Sequence, residues 1–132
     1  WMNKPLPIGT MGLLINENHA ALKEFPCEFY STPQWWDIVM NSRLSILNDV
    51  KIEPIVQMID NFERNHLLGL IYELKVNESK VLVCTSELGN IENSSPAQWL
   101  QYSLIKYMNS EEFNPEKVMN TKSFVSVFNS NK

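Results

Sequence analysis

Cysteine is scarce in this chain: Cys27 and Cys84 are the only two among 132 residues. Two thiols cannot build a disulfide scaffold, and neither stands in a CxxC pair, which removes the usual zinc and dithiol redox motifs. A single bridge between them stays open. Long apolar runs are also missing. The longest, Leu67 to Tyr72, is interrupted by Gly69 and falls far short of the ~18 residues of a membrane span, so no spanning segment is expected. Positive charge is in deficit, with 11 Lys and Arg against 15 Asp and Glu and a net charge of −4. No basic block exists to follow phosphates, so nucleic acid is excluded as a partner. The stretch Trp1 to Pro7 has neither a basic nor an apolar signal-peptide region. Because the first residue is Trp instead of Met, the chain reads as a piece of a longer protein whose compartment this end does not reveal.

What is present is ordinary globular composition, 44% hydrophobic, 20% charged and 11% aromatic. The length suits one domain of the usual ~100 to 200 residues. Trp1 to Thr10 holds two prolines and a glycine and reads as a loop leading into a strand at Gly12 to Ile15. Asn18 is expected to cap a two-turn helix from His19 to Phe25. Thr32 and Pro33, a capping hydroxyl and a first-turn proline, are expected to open a second helix from Pro33 to Ser42. The middle changes period. Ile55 to Ile59, Leu67 to Val76 and Val81 to Thr85 read as strands, with Leu68, Leu70, Tyr72, Leu74 and Val76 alternating on one face. Short polar links predict an antiparallel meander, with Val81 to Thr85 as a central strand. Ser95, Pro96 and Gln98 form a capping-box pattern for a helix whose Ala97, Leu100, Leu104, Tyr107 and Met108 cover a sheet. The domain is expected to span residues 1–114. Residues 115–132 read as a tail in which Phe124 to Phe128 alternate like an edge strand or fray.

Chemistry-bearing residues are few. A nucleophile and base would have to come from Cys27, Cys84, His19 and His66, with Asp60 and Glu87 as orienting groups, and none sits in a nucleophile elbow. Cys84 lies in the apolar run Val81-Leu82-Val83, where core packing is the simpler reading. His19 at a helix start and His66 in a hairpin loop read as capping or surface residues. The polar run Asp60 to His66 matches no zinc or calcium spacing. Picking any two carboxylates as a glycosidase pair would be arbitrary. No catalytic residue, metal site or cofactor is therefore nominated.

Tryptophan is the one enrichment, with Trp1, Trp35, Trp36 and Trp99. Trp35 and Trp36, flanked by Gln34 and Asp37, form the candidate ligand-contact group, since an exposed indole stacks on a sugar ring. Neighbours on a helix diverge by about 100°, so one ring belongs inside and the other at a surface or interface.

Several segments together resemble a known family: His19 to Pro26, Gln34 to Val39, Pro54 to Phe62, Leu68 to Glu73 and Lys80 to Cys84. They are similar to the C-terminal region of family 2 glycoside hydrolases of the β-galactosidase-like, sugar-binding type, and the likeness runs from about Gly9 to Asn114. In such enzymes the catalytic carboxylates belong to an upstream (β/α)₈ barrel. The resemblance therefore implies a non-catalytic accessory domain whose partners are that catalytic domain and, by sugar contact, a galactoside or plant-type oligosaccharide, in a periplasmic or extracellular setting. The order of elements is also similar to the C-terminal half of class I glutamine amidotransferase-like, flavodoxin-like domains, with Ala20 in place of the usual Pro after His19. That likeness implies a three-layer α/β partial domain with a mixed sheet and an antiparallel meander, and an exposed sheet edge that favours a homodimer. Two rivals remain: an oligomerisation domain without ligand, and a small hydrolase or amidotransferase-like enzyme using Cys84 or His19.

Overall fold

The computed structural model describes residues 10–129; the opening segment up to Gly9 and the last three residues lie outside the described residues. Six strands form one mixed sheet: β1 (Gly12–Ile15), β2 (Ser45–Ile46), β3 (Val56–Ile59), β4 (Leu67–Val76), β5 (Ser79–Cys84) and β6 (Val118–Met119). The predicted meander is there, since β3, β4 and β5 pair antiparallel in succession. Asn77, at φ 55°, opens the tight turn between β4 and β5, a left-handed position that asparagine tolerates.

The ten-residue β4 is the axis of the sheet. Leu68 and Gly69 pair with β3 on one side and β2 on the other, and Ile71 pairs with both β3 and β5. β2 and β5 thus lie end to end along one side of β4. On the other side β3 is followed by β6, the only parallel pairing among the described residues.

β5 is therefore an edge strand, where the run from Val81 predicts a central one, and Cys84 is half-buried. The apolar residues on both its faces touch helical layers, but among the described residues no strand lies beside its outer edge. The alternation along β4 is corrected too. Val56 pairs with Ile71 and Gln57 with Gly69, leaving Leu70 as an extra residue, and this β-bulge reverses the side-chain parity. Leu68, Leu70 and Ile71 consequently enter one core, while Tyr72, Leu74 and Val76 enter the other.

Helices α1 (Trp36–Met40) and α2 (Ser95–Met108) contribute to the first core, and α3 (Thr121–Asn129) contributes to the second. α2 begins one residue earlier than its capping pattern predicts: Ser94 is the N-cap, its Oγ accepting from Ala97 N at 3.4 Å. The predicted helix from His19 to Phe25 shrinks to a 3₁₀ turn at Ala20–Leu22, capped by His19 Nδ1 instead of Asn18. The second predicted helix divides into a 3₁₀ turn at Pro33–Trp35 and the short α1, and Thr32 makes no side-chain cap. The segment read as an edge strand or a fraying tail is α3. Phe124, Val127 and Phe128 stand three and four apart and so share a helical face, and Asn120 Oδ1 caps the start by accepting from Ser123 N. With β6, α3 closes the second core, so the domain extends past residue 114 to 129.

Gly69, beside the bulge, faces the second core. A Cβ there would lie 2.6 Å from Leu47 Cδ1 and 2.9 Å from Tyr72 Cδ1. Both neighbours are buried. Gly69→Ala is expected to lower stability by about 1 to 3 kcal/mol through overpacking, measured by denaturant unfolding. A neutral result would mean that Leu47 has room to move aside.

Candidate functional site

The structure separates the tryptophan pair. Trp35 is 1% exposed and meets Phe25 edge to face at 5.1 Å, whereas Trp36 is 68% exposed. Gln34 Nε2 donates to the Pro26 carbonyl at 3.1 Å, fastening the 3₁₀ turn to the chain that precedes it. Asp37 is exposed in the first turn of α1, where its charge suits the helix dipole. Of the four sequence candidates, Trp35 and Gln34 are scaffold, and Trp36 and Asp37 face solvent in diverging directions. Met40, one turn after Trp36, is also exposed.

The frame beneath Trp36 is well fixed. Ser86 Oγ donates to the Ile38 carbonyl at 2.7 Å, tying α1 to the segment after β5, and Ser42 Oγ donates to Val39 O at 2.7 Å. Ile38, on the inner side of α1, is fully buried.

Between β3 and β4 lies a second such arrangement that the spacing rules passed over. The Asp60 carboxylate, 1% exposed, accepts from Asn61 N (2.8 Å), Arg64 Nε (3.0 Å), Arg64 Nη2 (2.6 Å) and His66 N (3.0 Å). Asn61 Oδ1 accepts from Glu63 N and Arg64 N, both at 3.0 Å. Burial by itself works against the Asp60 charge, but the Arg64 hydrogen bond, the two backbone N–H groups and the Arg64 charge together outweigh it and hold the carboxyl below its usual value. Every one of these bonds is local, and together they shape one loop. What that loop presents is Phe62, 89% exposed.

The titratable candidates are taken up structurally. His19 Nδ1 accepts from Ala21 N, and its Nε2 lies 3.7 Å from Glu73 Oε1. Tyr107 Oη donates to Glu73 Oε2 at 2.7 Å, and burial, followed by the Glu73 hydrogen bond and charge, pushes the phenol well above its ordinary value. This cluster ties the 3₁₀ turn, β4 and α2 together. Burial raises the Cys84 thiol, which donates to the Ser86 carbonyl at 3.9 Å, and burial followed by Glu17 and Glu28 raises Cys27. Both cysteines are free, so the bridge left open by the sequence is not formed. Among the described residues no three His, Cys, Asp or Glu side chains converge as metal ligands.

A family model described as a domain of unknown function, DUF8487, matches residues 1–129. The chain belongs to this family. The DUF8487 match ends on the last residue of α3, which places that helix inside the domain, in agreement with its role in closing the second core. No curated protein matches the chain. Among the described residues, no DUF8487 helix is long and apolar enough to cross a membrane.

Proposed function

We propose that this DUF8487 chain is a non-catalytic accessory domain of a larger enzyme and packs against a neighbouring domain through Trp36 and Phe62. The observation that carries the reading is the pairing of two highly exposed aromatic rings with frames whose hydrogen bonds are satisfied beneath them. A ring kept in water on a rigid support loses little entropy when it enters a partner pocket, and buried aromatic anchors dominate interface energies. The segments similar to the C-terminal region of β-galactosidase-like glycoside hydrolases make such an enzyme the proposed parent. The finer fold reading, a flavodoxin-like and amidotransferase-like half-domain, belongs to the same proposal, supported by helices on both faces and by the parallel β4/β6 pair.

Packing is favoured over sugar contact by what surrounds Trp36. A carbohydrate platform needs polar groups converging beside the ring, and here the helical neighbour one turn away is the exposed Met40, while Gln34 is engaged with Pro26. The test uses Trp36→Ala and Phe62→Ala. Each should leave stability within about 0.5 kcal/mol, because the rings are outside the core. Each should also weaken calorimetric binding to the separately produced catalytic portion by at least about tenfold, or ~1.4 kcal/mol. If galactosides quench the indole fluorescence and Trp36→Ala abolishes the response, sugar contact replaces packing. Turnover of an aryl galactoside by this chain, lost on mutating one of its acidic residues, would overturn the accessory reading altogether.

A further inference from the structure

His19 holds a position in which gaining a proton and keeping its hydrogen bond exclude each other. Its Nδ1 accepts from Ala21 N at 3.2 Å and so caps the 3₁₀ turn at Ala20–Leu22. A ring nitrogen that accepts carries no proton, so the neutral imidazole has its N–H on Nε2. That nitrogen faces Glu73 Oε1 at 3.7 Å, just beyond hydrogen-bond reach, while the other oxygen of the carboxylate accepts from Tyr107 Oη. The ring also meets Tyr107 edge to face at 5.4 Å. The His19 side chain is 23% exposed, so a proton reaches it without unfolding. Charged groups stand around it on each neighbouring element. β4 supplies Glu73, the turn supplies Lys23 and Glu24, α2 supplies Lys106, and the segment after α2 supplies Glu112, whose charge acts on Tyr107. Glu24 and Lys106 are engaged with each other at 2.8 Å, which makes Glu73 Oε1 the acceptor that faces the ring.

We infer that His19 is a proton-operated cap, which exchanges Ala21 for Glu73 when its imidazole becomes a cation. A protonated Nδ1 sets its own N–H against the Ala21 N–H, and two donors face to face repel. The cap is therefore lost with the first added proton. The imidazolium has only a short way to go to Glu73 Oε1, where it gains a charged partner while Tyr107 keeps Oε2. Ser103 limits how far the change spreads, because its Oγ accepts from Glu24 N and donates to Ala21 O, and so keeps the uncapped turn on α2. The response is local. It runs on toward the second 3₁₀ turn, since Phe25 N donates to Leu22 O, the Phe25 ring packs on Trp35, and Pro26 O accepts from Gln34. The inference does not rest on the glycoside hydrolase reading.

Solution NMR of the 132-residue chain, titrated from about pH 8 to about pH 5, tests it. At the upper end the His19 ring signals should place the proton on Nε2. As the ring takes up its second proton, the Ala21 amide shift should move in step with it. Protection of that amide from hydrogen exchange, corrected for the intrinsic effect of pH, should fall by about fivefold, the usual worth of an N-cap. His66 is the only other histidine, and His66→Gln should leave this behaviour unchanged. His19→Asn, whose side-chain oxygen caps without titrating, should make the Ala21 amide indifferent to pH over the same range. Glu73→Gln removes the partner of the cation and should move the His19 midpoint to lower pH. An Ala21 amide that ignores the protonation of His19, a neutral ring with its proton on Nδ1, or a midpoint unmoved by Glu73→Gln overturns the inference.

Discussion

Replacing Trp35 with alanine is expected to lower the unfolding free energy by about 3 to 5 kcal/mol. The indole is almost completely enclosed, packs edge to face on Phe25, and belongs to the same core as Ile38, Leu100 and Leu104. Its removal forfeits the apolar area and leaves a cavity between short elements that have little freedom to collapse. Domains are typically stable by about 5 to 15 kcal/mol, so the variant would be marginal or unfolded at room temperature. The indole N–H has no partner among the described residues, so shape rather than a hydrogen bond holds the ring. Trp35→Phe should accordingly cost only roughly 1 to 2 kcal/mol. Urea unfolding of both variants checks the argument. A loss below about 1 kcal/mol for the alanine variant would place the ring outside the core.

Asp60→Ala should cost about 2 to 4 kcal/mol, the second-largest effect, because it leaves Arg64 and two backbone N–H groups around an empty position. The same network makes stability depend on pH. The folded Asp60 carboxyl titrates below its unfolded value of about 3.9, so the folded state binds the proton less readily than the unfolded state. Its contribution is fully present above that unfolded value and is lost as pH falls through the lower folded value. The stability gap between wild type and Asp60→Asn is therefore expected to be constant from neutral pH down to about 4 and to shrink below it. A gap that is unchanged at still lower pH would show that packing, not charge, does the work of the loop. The loop's other consequence is positional: once the network is broken, Phe62 should lose its fixed presentation, and under the proposed docking role binding to the catalytic portion should weaken with it.

Local patterns carried a good part of this protein. β1 at Gly12–Ile15 and β4 at Leu67–Val76 have the predicted bounds, and the antiparallel order of β3, β4 and β5 follows from polar links too short for a crossover helix. α2 was legible from a capping serine, a first-turn proline and apolar residues at helical spacing, all within a single segment. The divergence of Trp35 and Trp36 was legible as well, from the helical period alone. Which of them goes inside was not, because that depends on where Phe25 is placed, ten residues away in sequence.

What only the tertiary structure decided are the features set by distant partners. β5 is apolar on both faces in the way a central strand is, and nothing in its own residues says that no further strand among the described residues arrives beside it. The bulge at Leu70 sends Tyr72 and Leu74 into a different core from Leu68, and it is defined only by the register against β3. Phe124 and Phe128, four residues apart, fit a strand period and a helix period equally. α3 wins because its Val127 and Phe124 complete a core with Leu47, Ile52, Tyr72 and Leu74. Asp60 matched no ligand or catalytic spacing because its partners are backbone N–H groups and one arginine of the same loop, whose convergence exists only once the turn has closed. Periodicity and capping act within a few residues and can be read from the chain, whereas strand order, parity after a bulge and the side on which an aromatic ring is buried are fixed by contacts that form only when the whole sheet is assembled.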